Sequence, residues 1–231
     1  MGNSSYLCLS DDRLIYPSSR DGYQADSQTI ATDAGYVPLM WMVLFRGADM
    51  MIEDFGEPGE PYIAQAPIVE REHAIVNLTE AVPYLTSVFA GQSVFEGYAQ
   101  FLRETLETEQ TKFTTIEMDE IACLSPTYYG DFRAVLNAVG IDASDQARSR
   151  LIELTGLRQW RSLPPPNLFT DALKPGSDDM WNMCRVLGTS LYKDVPWEQT
   201  AKATSSPTAS DVVEDPKEKS FFGRLKDMFK S

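Results

Sequence analysis

Histidine is almost missing from this 231-residue chain, and His73 is the only one. No H-E-x-x-H motif can form, so a zinc site would have to recruit distant cysteines or carboxylates. Cysteine is also scarce. Cys8, Cys123 and Cys184 lie far apart without a C-x-x-C pair. An odd number cannot pair fully within one chain, which argues against a disulfide framework and for a reducing compartment. Long apolar runs are lacking as well: the longest, "VPLMWMVLF" at 37–45, is about half of what a membrane-spanning helix needs. Nowhere does G-x-x-x-x-G-K, G-x-G-x-x-G or G-x-S-x-G occur, which removes the familiar phosphate loops and the serine-hydrolase elbow. The first residues carry neither the basic nor the apolar section of a secretory signal. "MGNSSY" departs from a myristoylation signal at Tyr6, where Ser or Thr is expected. The expected location is the cytoplasm.

Positive charge is in short supply. Thirty-four acidic residues against 20 basic leave a formal net charge of −14, which repels nucleic-acid phosphates and anionic lipid but attracts and steers basic macromolecules. Residues 201–231 hold six basic and five acidic side chains, so this tail is +1 and the rest of the chain −15. The acidity therefore belongs to the body. Its composition, 43% apolar and 11% aromatic, is that of a globular protein rather than a disordered one.

The charge is dense in "IEDFGEPGEP" at 52–61, where Glu53, Asp54, Glu57 and Glu60 fall within eight positions without a Lys, Arg or His. Two prolines and two glycines exclude a helix there. Calcium binding of the EF-hand type needs alternating oxygen ligands and a distal glutamate. Carboxylates at relative positions 1, 2, 5 and 8 miss that pattern. A solvated loop, a docking surface for a basic protein and, behind both, a metal site of another kind remain open.

Apolar periodicity divides the rest. A strand is expected over Tyr6–Leu9, then a loop, and a helix from about Ser27 to Phe45 that Pro38 kinks or restarts. Apolar residues on every side of "LMWMVLF" mark a buried element. "PYIAQAPIV" and "KFTTIEM" read as strands. Helices are expected for "TEAVPYLTSVF", for "SVFEGYAQFLRETLETEQ" with Val94, Tyr98, Phe101 and Leu102 on one face, and for two segments closed by Gly140 and Gly156. "SDDMWNMCRVLGTSLY" follows an N-cap at Ser177. "LPPPNLF" reads as a rigid connector.

Without a regular βαβ alternation the class is α+β: mixed helices and a small sheet in one body, residues 1–200. A flexible linker at 201–220 and a short amphipathic helical tail at 221–231 follow. The tail sets Phe221, Phe222, Leu225, Met228 and Phe229 against Arg224, Lys226 and Lys230. So short a helix is marginal alone in water, and its apolar face requires a receiver: its own body, a partner groove or a membrane surface.

Candidate chemistry is thin. His73 follows Glu70 and Glu72 in "EREHAIV", a base with a carboxylate orienter at best. "IEMDEI" places Glu117, Asp119 and Glu120 at a strand end, where Glu117 and Asp119 sharing a face could hold Mg²⁺. Such pairs also arise by chance in so acidic a chain. The carboxylate or metal-dependent enzyme, and an adaptor or chaperone using the tail helix, stand as alternatives to a binding protein. No catalytic residue, metal or cofactor is expected for the latter.

"NSSYLCLSDDRLIYPS", "YVPLMWMVLF" and "SFFGRLKDMFKS" together resemble small acidic bacterial immunity proteins that neutralise nuclease effectors of type VI secretion. The resemblance covers both ends and one internal segment, and it carries no residue roles with it. It implies a cytoplasmic inhibitor of a secreted toxin that would present an acidic surface to the toxin's basic cleft. Glu53, Asp54, Glu57 and Glu60 are then the leading toxin-binding residues, with Asp178 and Asp179 second.

Overall fold

Five short β-prone segments meet in one antiparallel sheet of order β2-β1-β5-β4-β3. A computed structural model describes residues 3–15, 27–57, 59–158, 160–163 and 177–188. Among them are β1 (Ser4–Ser10), β2 (Gln28–Ala34), β3 (Met50–Asp54), β4 (Ile63–Glu70) and β5 (Phe113–Glu117). The helices are α1 (Leu39–Met42), α2 (Arg71–Val88), α3 (Val94–Glu107), α4 (Asp119–Ala122), α5 (Tyr128–Ala138), α6 (Asp145–Thr155) and α7 (Asp178–Leu187). The class is α+β. All of "LPPPNLF" after Leu163, the 201–220 linker, the 221–231 tail and residues 189–200 of the expected body lie outside the described residues.

Alternation along each strand gives the sheet two apolar faces. Leu7, Leu9, Ala31, Val69 and Ile116 face the helices and join the main core. On the other face Ala64, Ala66 and Ile68 pack with Ile15, Met51, Phe55, Tyr62 and Phe113. Because the period of a strand is two, Ile68 and Val69 necessarily serve opposite faces.

Of the helix expected over 27–45 only the part restarted at Pro38 forms, as α1, while the first part is a strand. Residues Gln28–Ala34 pair with β1 from Ser4–Ala34 to Leu9–Gln28, with a bulge after Leu7. Long-range pairing with an available strand overrides the weak helical pattern of "QTIATDA". Pro38 stands at the N-cap of α1 rather than inside a helix, where its missing N–H costs nothing. Elsewhere the expected elements appear with shifted ends. In particular α2 begins at Arg71 and carries Pro83 within it, so His73 sits on its first turn. Ser177 and Ser144 cap α7 and α6 through Met180 N and Ala147 N, and Gly156 ends α6 in the left-handed region.

Between β2 and β3 the chain crosses from one sheet edge to the other, and Leu39 through Phe45 are each 0% exposed. Only four of these residues form a helix, so their carbonyls need other partners. Asn77 Nδ2 donates to Leu44 O at 2.9 Å, and Arg46 Nη1 donates to Val43 O and Phe45 O at 3.1 and 3.0 Å. Arg46 Nη2 in turn donates to Asn77 O at 3.1 Å, while Trp41 Nε1 donates to Leu187 O at 2.9 Å. Asn77→Ala leaves the buried Leu44 carbonyl unsatisfied and should cost about 1–3 kcal/mol in urea unfolding.

Candidate functional site

The acidic stretch opens as the end of strand β3, Ile52–Asp54, and continues as a hairpin turn, which corrects its reading as a loop. β3 pairs with β4 from Met50–Pro67 to Asp54–Ile63. Beyond the ladder Phe55 N donates to Tyr62 O at 2.8 Å, and Glu60 N to Glu57 O at 2.9 Å. Gly59, at φ +94°, supplies the left-handed residue of that turn. At the neck of the hairpin a Cβ on Gly56 would lie 2.5 Å from Pro61 Cα, so only glycine fits. Carboxylate chemistry adds to the local order: Asp54 Oδ1 accepts from Gly56 N at 2.8 Å and Tyr62 N at 3.0 Å. The hairpin therefore presents Asp54, Glu57 and Glu60 exposed and Glu53 half-buried on a defined frame.

Two apolar side chains that the sequence reading missed belong to the same hairpin. Ile52 is 55% and Ile63 47% exposed. The register sets Ile52 opposite Gln65 and Asp54 opposite Ile63, so the two isoleucines are diagonal neighbours on one face. Period-two alternation read across "MMIED" was the available signal, and the concentration of charge concealed it.

Asp178 and Asp179 are not part of this group. They form the first turn of α7 after the Ser177 cap, where negative charge complements the helix dipole. α7 is fastened to β2 by Arg185, whose Nη1 binds Asp33 Oδ2 and donates to Ala34 O at 2.8 Å. β2 and β3 are opposite edges of the sheet, about 19 Å apart at ordinary strand spacing. One contact patch centred on the hairpin need not reach both.

The enzyme candidates behave differently. β5 stops at Glu117, Met118 is buried, and Asp119 opens α4, so the expected strand alternation does not relate the two carboxylates. Both nevertheless line one cavity of about 10 Å³ with Cys8, Ile15, Gln65, Ala66, Thr115 and Met118. That volume holds about one water and no substrate. Asp119 is already engaged: Tyr62 Oη donates to Oδ2 at 3.2 Å and Tyr129 Oη donates to Oδ1. The Gln65 backbone bonds the Tyr129 hydroxyl in turn. Asp119 thus works as a latch holding β4, α4 and α5 together. Burial, reinforced by Glu117, pushes the Cys8 thiol up to about 12, which removes it as a nucleophile at neutral pH. His73 is exposed, with Nδ1 3.6 Å from Glu70 Oε2, and does not line the cavity. Among the described residues no three His, Cys, Asp or Glu side chains gather as metal ligands, and no helix is long and apolar enough to cross a membrane.

The chain matches no protein-family model, no curated protein and no solved structure.

The latch has a pH signature. Burial raises Asp119 above its ordinary 3.8, against the lowering effect of the Tyr129 and Tyr62 hydroxyls. A carboxyl that holds its proton more tightly when folded stabilises fully below the unfolded value, and that contribution is lost as pH rises through the folded one. Urea unfolding across pH should show wild-type stability falling relative to Asp119→Asn once pH climbs past about 4. Parallel pH curves would show that Asp119 does not titrate in this way.

Proposed function

We propose that this chain is a binding protein rather than an enzyme, and that it neutralises a cationic partner. The partner class is a nuclease toxin of bacterial type VI secretion, met in the cytoplasm. The observation carrying this reading is the ordered, carboxylate-bearing hairpin on a chain of net charge −14. A nuclease must bind polyanions and so presents a basic cleft. A strongly negative protein reaches such a cleft quickly and shares its electrostatic complementarity with the phosphate backbone.

Magnitudes divide the work among the hairpin residues. An exposed ion pair contributes about 0.2–1 kcal/mol, so Glu53, Asp54, Glu57 and Glu60 govern rate and orientation more than affinity. Ile52 and Ile63 are each about half exposed, so covering the rest of either side chain contributes about 0.8–1.5 kcal/mol, half the value for a fully exposed isoleucine, which still makes the two the anchors. No cofactor enters this mechanism.

Coexpression with a nuclease toxin found encoded beside this gene should restore growth, and the purified pair should associate more slowly as salt is added. Glu53→Lys, Glu57→Lys and Glu60→Lys combined should lower the association rate at low salt by about tenfold or more. Asp54 is left intact because it orders the turn. An association rate indifferent to both salt and these substitutions overturns the reading.

A further inference from the structure

The hairpin has a backbone side as well as a side-chain side. Phe55–Tyr62 is a hydrogen-bonded pair, and alternation along an antiparallel ladder makes Glu53–Ala64 and Met51–Ala66 hydrogen-bonded too. The N–H and C=O groups of Ile52 and Asp54 consequently point away from β4. Met50 supports the phase, because its N–H donates outward to Gly47 O rather than across the ladder. β3 is the last strand of the sheet, and among the described residues no other element's backbone bonds Ile52 or Asp54. The β2 edge differs, since Arg185 Nη1 occupies Ala34 O there.

We propose that the partner docks by strand addition, placing an extended, basic segment antiparallel to β3 as the sixth strand of the sheet. The inference rests on the basic-partner reading above and specifies its mode. An open edge alone would accept any extended chain, as sheets of many folds do. Here the side chains of β3 select one. Met51 and Ile52 call for two consecutive apolar residues opposite them, one on each face. Glu53 and Asp54 call for two consecutive cations, with Glu57 and Glu60 extending the negative field beyond the strand end. Read antiparallel, the complementary segment runs basic, basic, apolar, apolar. Backbone bonds to Ile52 and Asp54 provide affinity, and the charge order fixes register and direction.

The probe is an acetylated, amidated peptide with the core lysine–lysine–valine–valine, and its control is the reverse order, valine–valine–lysine–lysine. With the full chain, the first peptide should protect the Ile52 and Asp54 amides from hydrogen exchange and bind about tenfold more tightly than the control. Ile52→Pro removes an outward N–H and leaves the β3–β4 ladder intact, so its thermal melt should stay close to wild type while peptide affinity falls at least about tenfold. Ile52→Thr keeps the N–H, loses the apolar anchor, and should fall between the two.

Equal binding of both peptides, no binding at millimolar concentration, or undiminished binding to a folded Ile52→Pro protein would each overturn strand addition. If Ile52→Pro leaves toxin binding unchanged while the triple lysine variant weakens it, strand addition falls and the basic-partner reading stands. If neither changes toxin binding, both fall. A chain lacking residues 221–231 that binds the peptide much more tightly than the full chain would identify its own basic tail as the edge's occupant, and that also overturns an external partner.

Discussion

Burying the segment from Leu39 to Phe45 is the constraint on which the rest of this molecule depends. A chain that leaves β2 at one edge of the sheet and enters β3 at the other must cross the sheet somewhere. Crossing over the surface would need no hydrogen-bond partners, but it would leave Trp41, Phe45 and their neighbours in water. Crossing through the interior places these side chains at 0% exposure and supplies a large share of the main core. The cost is that this single helical turn ends in the interior and leaves the carbonyls of Val43, Leu44 and Phe45 to find side-chain donors. Arg46 and Asn77 meet that cost from outside the segment. An arginine near the end of an apolar run and an asparagine on the α2 face are therefore structural residues, although neither looks so in isolation.

The crossing makes the two edges of the sheet unequal. On the β2 side Asp33 and Arg185 form an ion pair with side chains 0% and 4% exposed. Arg185 also lies 4.3 Å from the Trp181 ring and 4.5 Å from the Tyr36 ring. A pair this deeply buried adds little net stability over an apolar replacement, while removal of one partner costs about 3–5 kcal/mol. Its physical effect is to specify where α7 sits, and α7 lies beside the end of β2. On the β3 side no helix of the described residues plays that part. Among the described residues, short length and charge protect that edge, which is how natural sheets commonly discourage indiscriminate pairing. The same charge that repels most strands selects for a cationic one.

Local chemistry was legible in the sequence to the extent that it was local. Ser177 as an N-cap, Gly140 and Gly156 after helices, the apolar face of α3 and the all-round burial of 39–45 follow from neighbouring residues alone. "QTIATDA" could not be read this way. It has one large apolar residue in seven, and only the availability of β1 as a partner makes it a strand. The acidic stretch misled for the opposite reason. Its charges and breakers are genuine turn signals from Phe55 onward, but on Met50–Asp54 they describe an edge strand, whose outer side is solvated like a loop. The Asp119 latch was invisible because its residues lie far apart in the chain: Tyr62 just before β4, Asp119 at the start of α4 and Tyr129 on α5.

Identical chemical groups thus serve opposite purposes according to their surroundings. Asp119 is half-buried and accepts one phenol hydroxyl on each oxygen, and its contribution is to seat the inner strand β4 against α4 and α5. Asp54 spends one oxygen on two backbone amides and so converts charge into a rigid turn. Glu60, at the tip, is exposed to water, where its field extends about one Debye length, roughly 8 Å at physiological salt. A loop bearing Glu57 and Glu60 without Asp54 and Asp119 behind it would present those two charges in a spread of orientations, and each binding event would have to order it at about 1–2 kcal/mol per residue. Holding the hairpin from behind removes that cost before any partner arrives, which is the physical reason that the inner carboxylate matters to the outer ones.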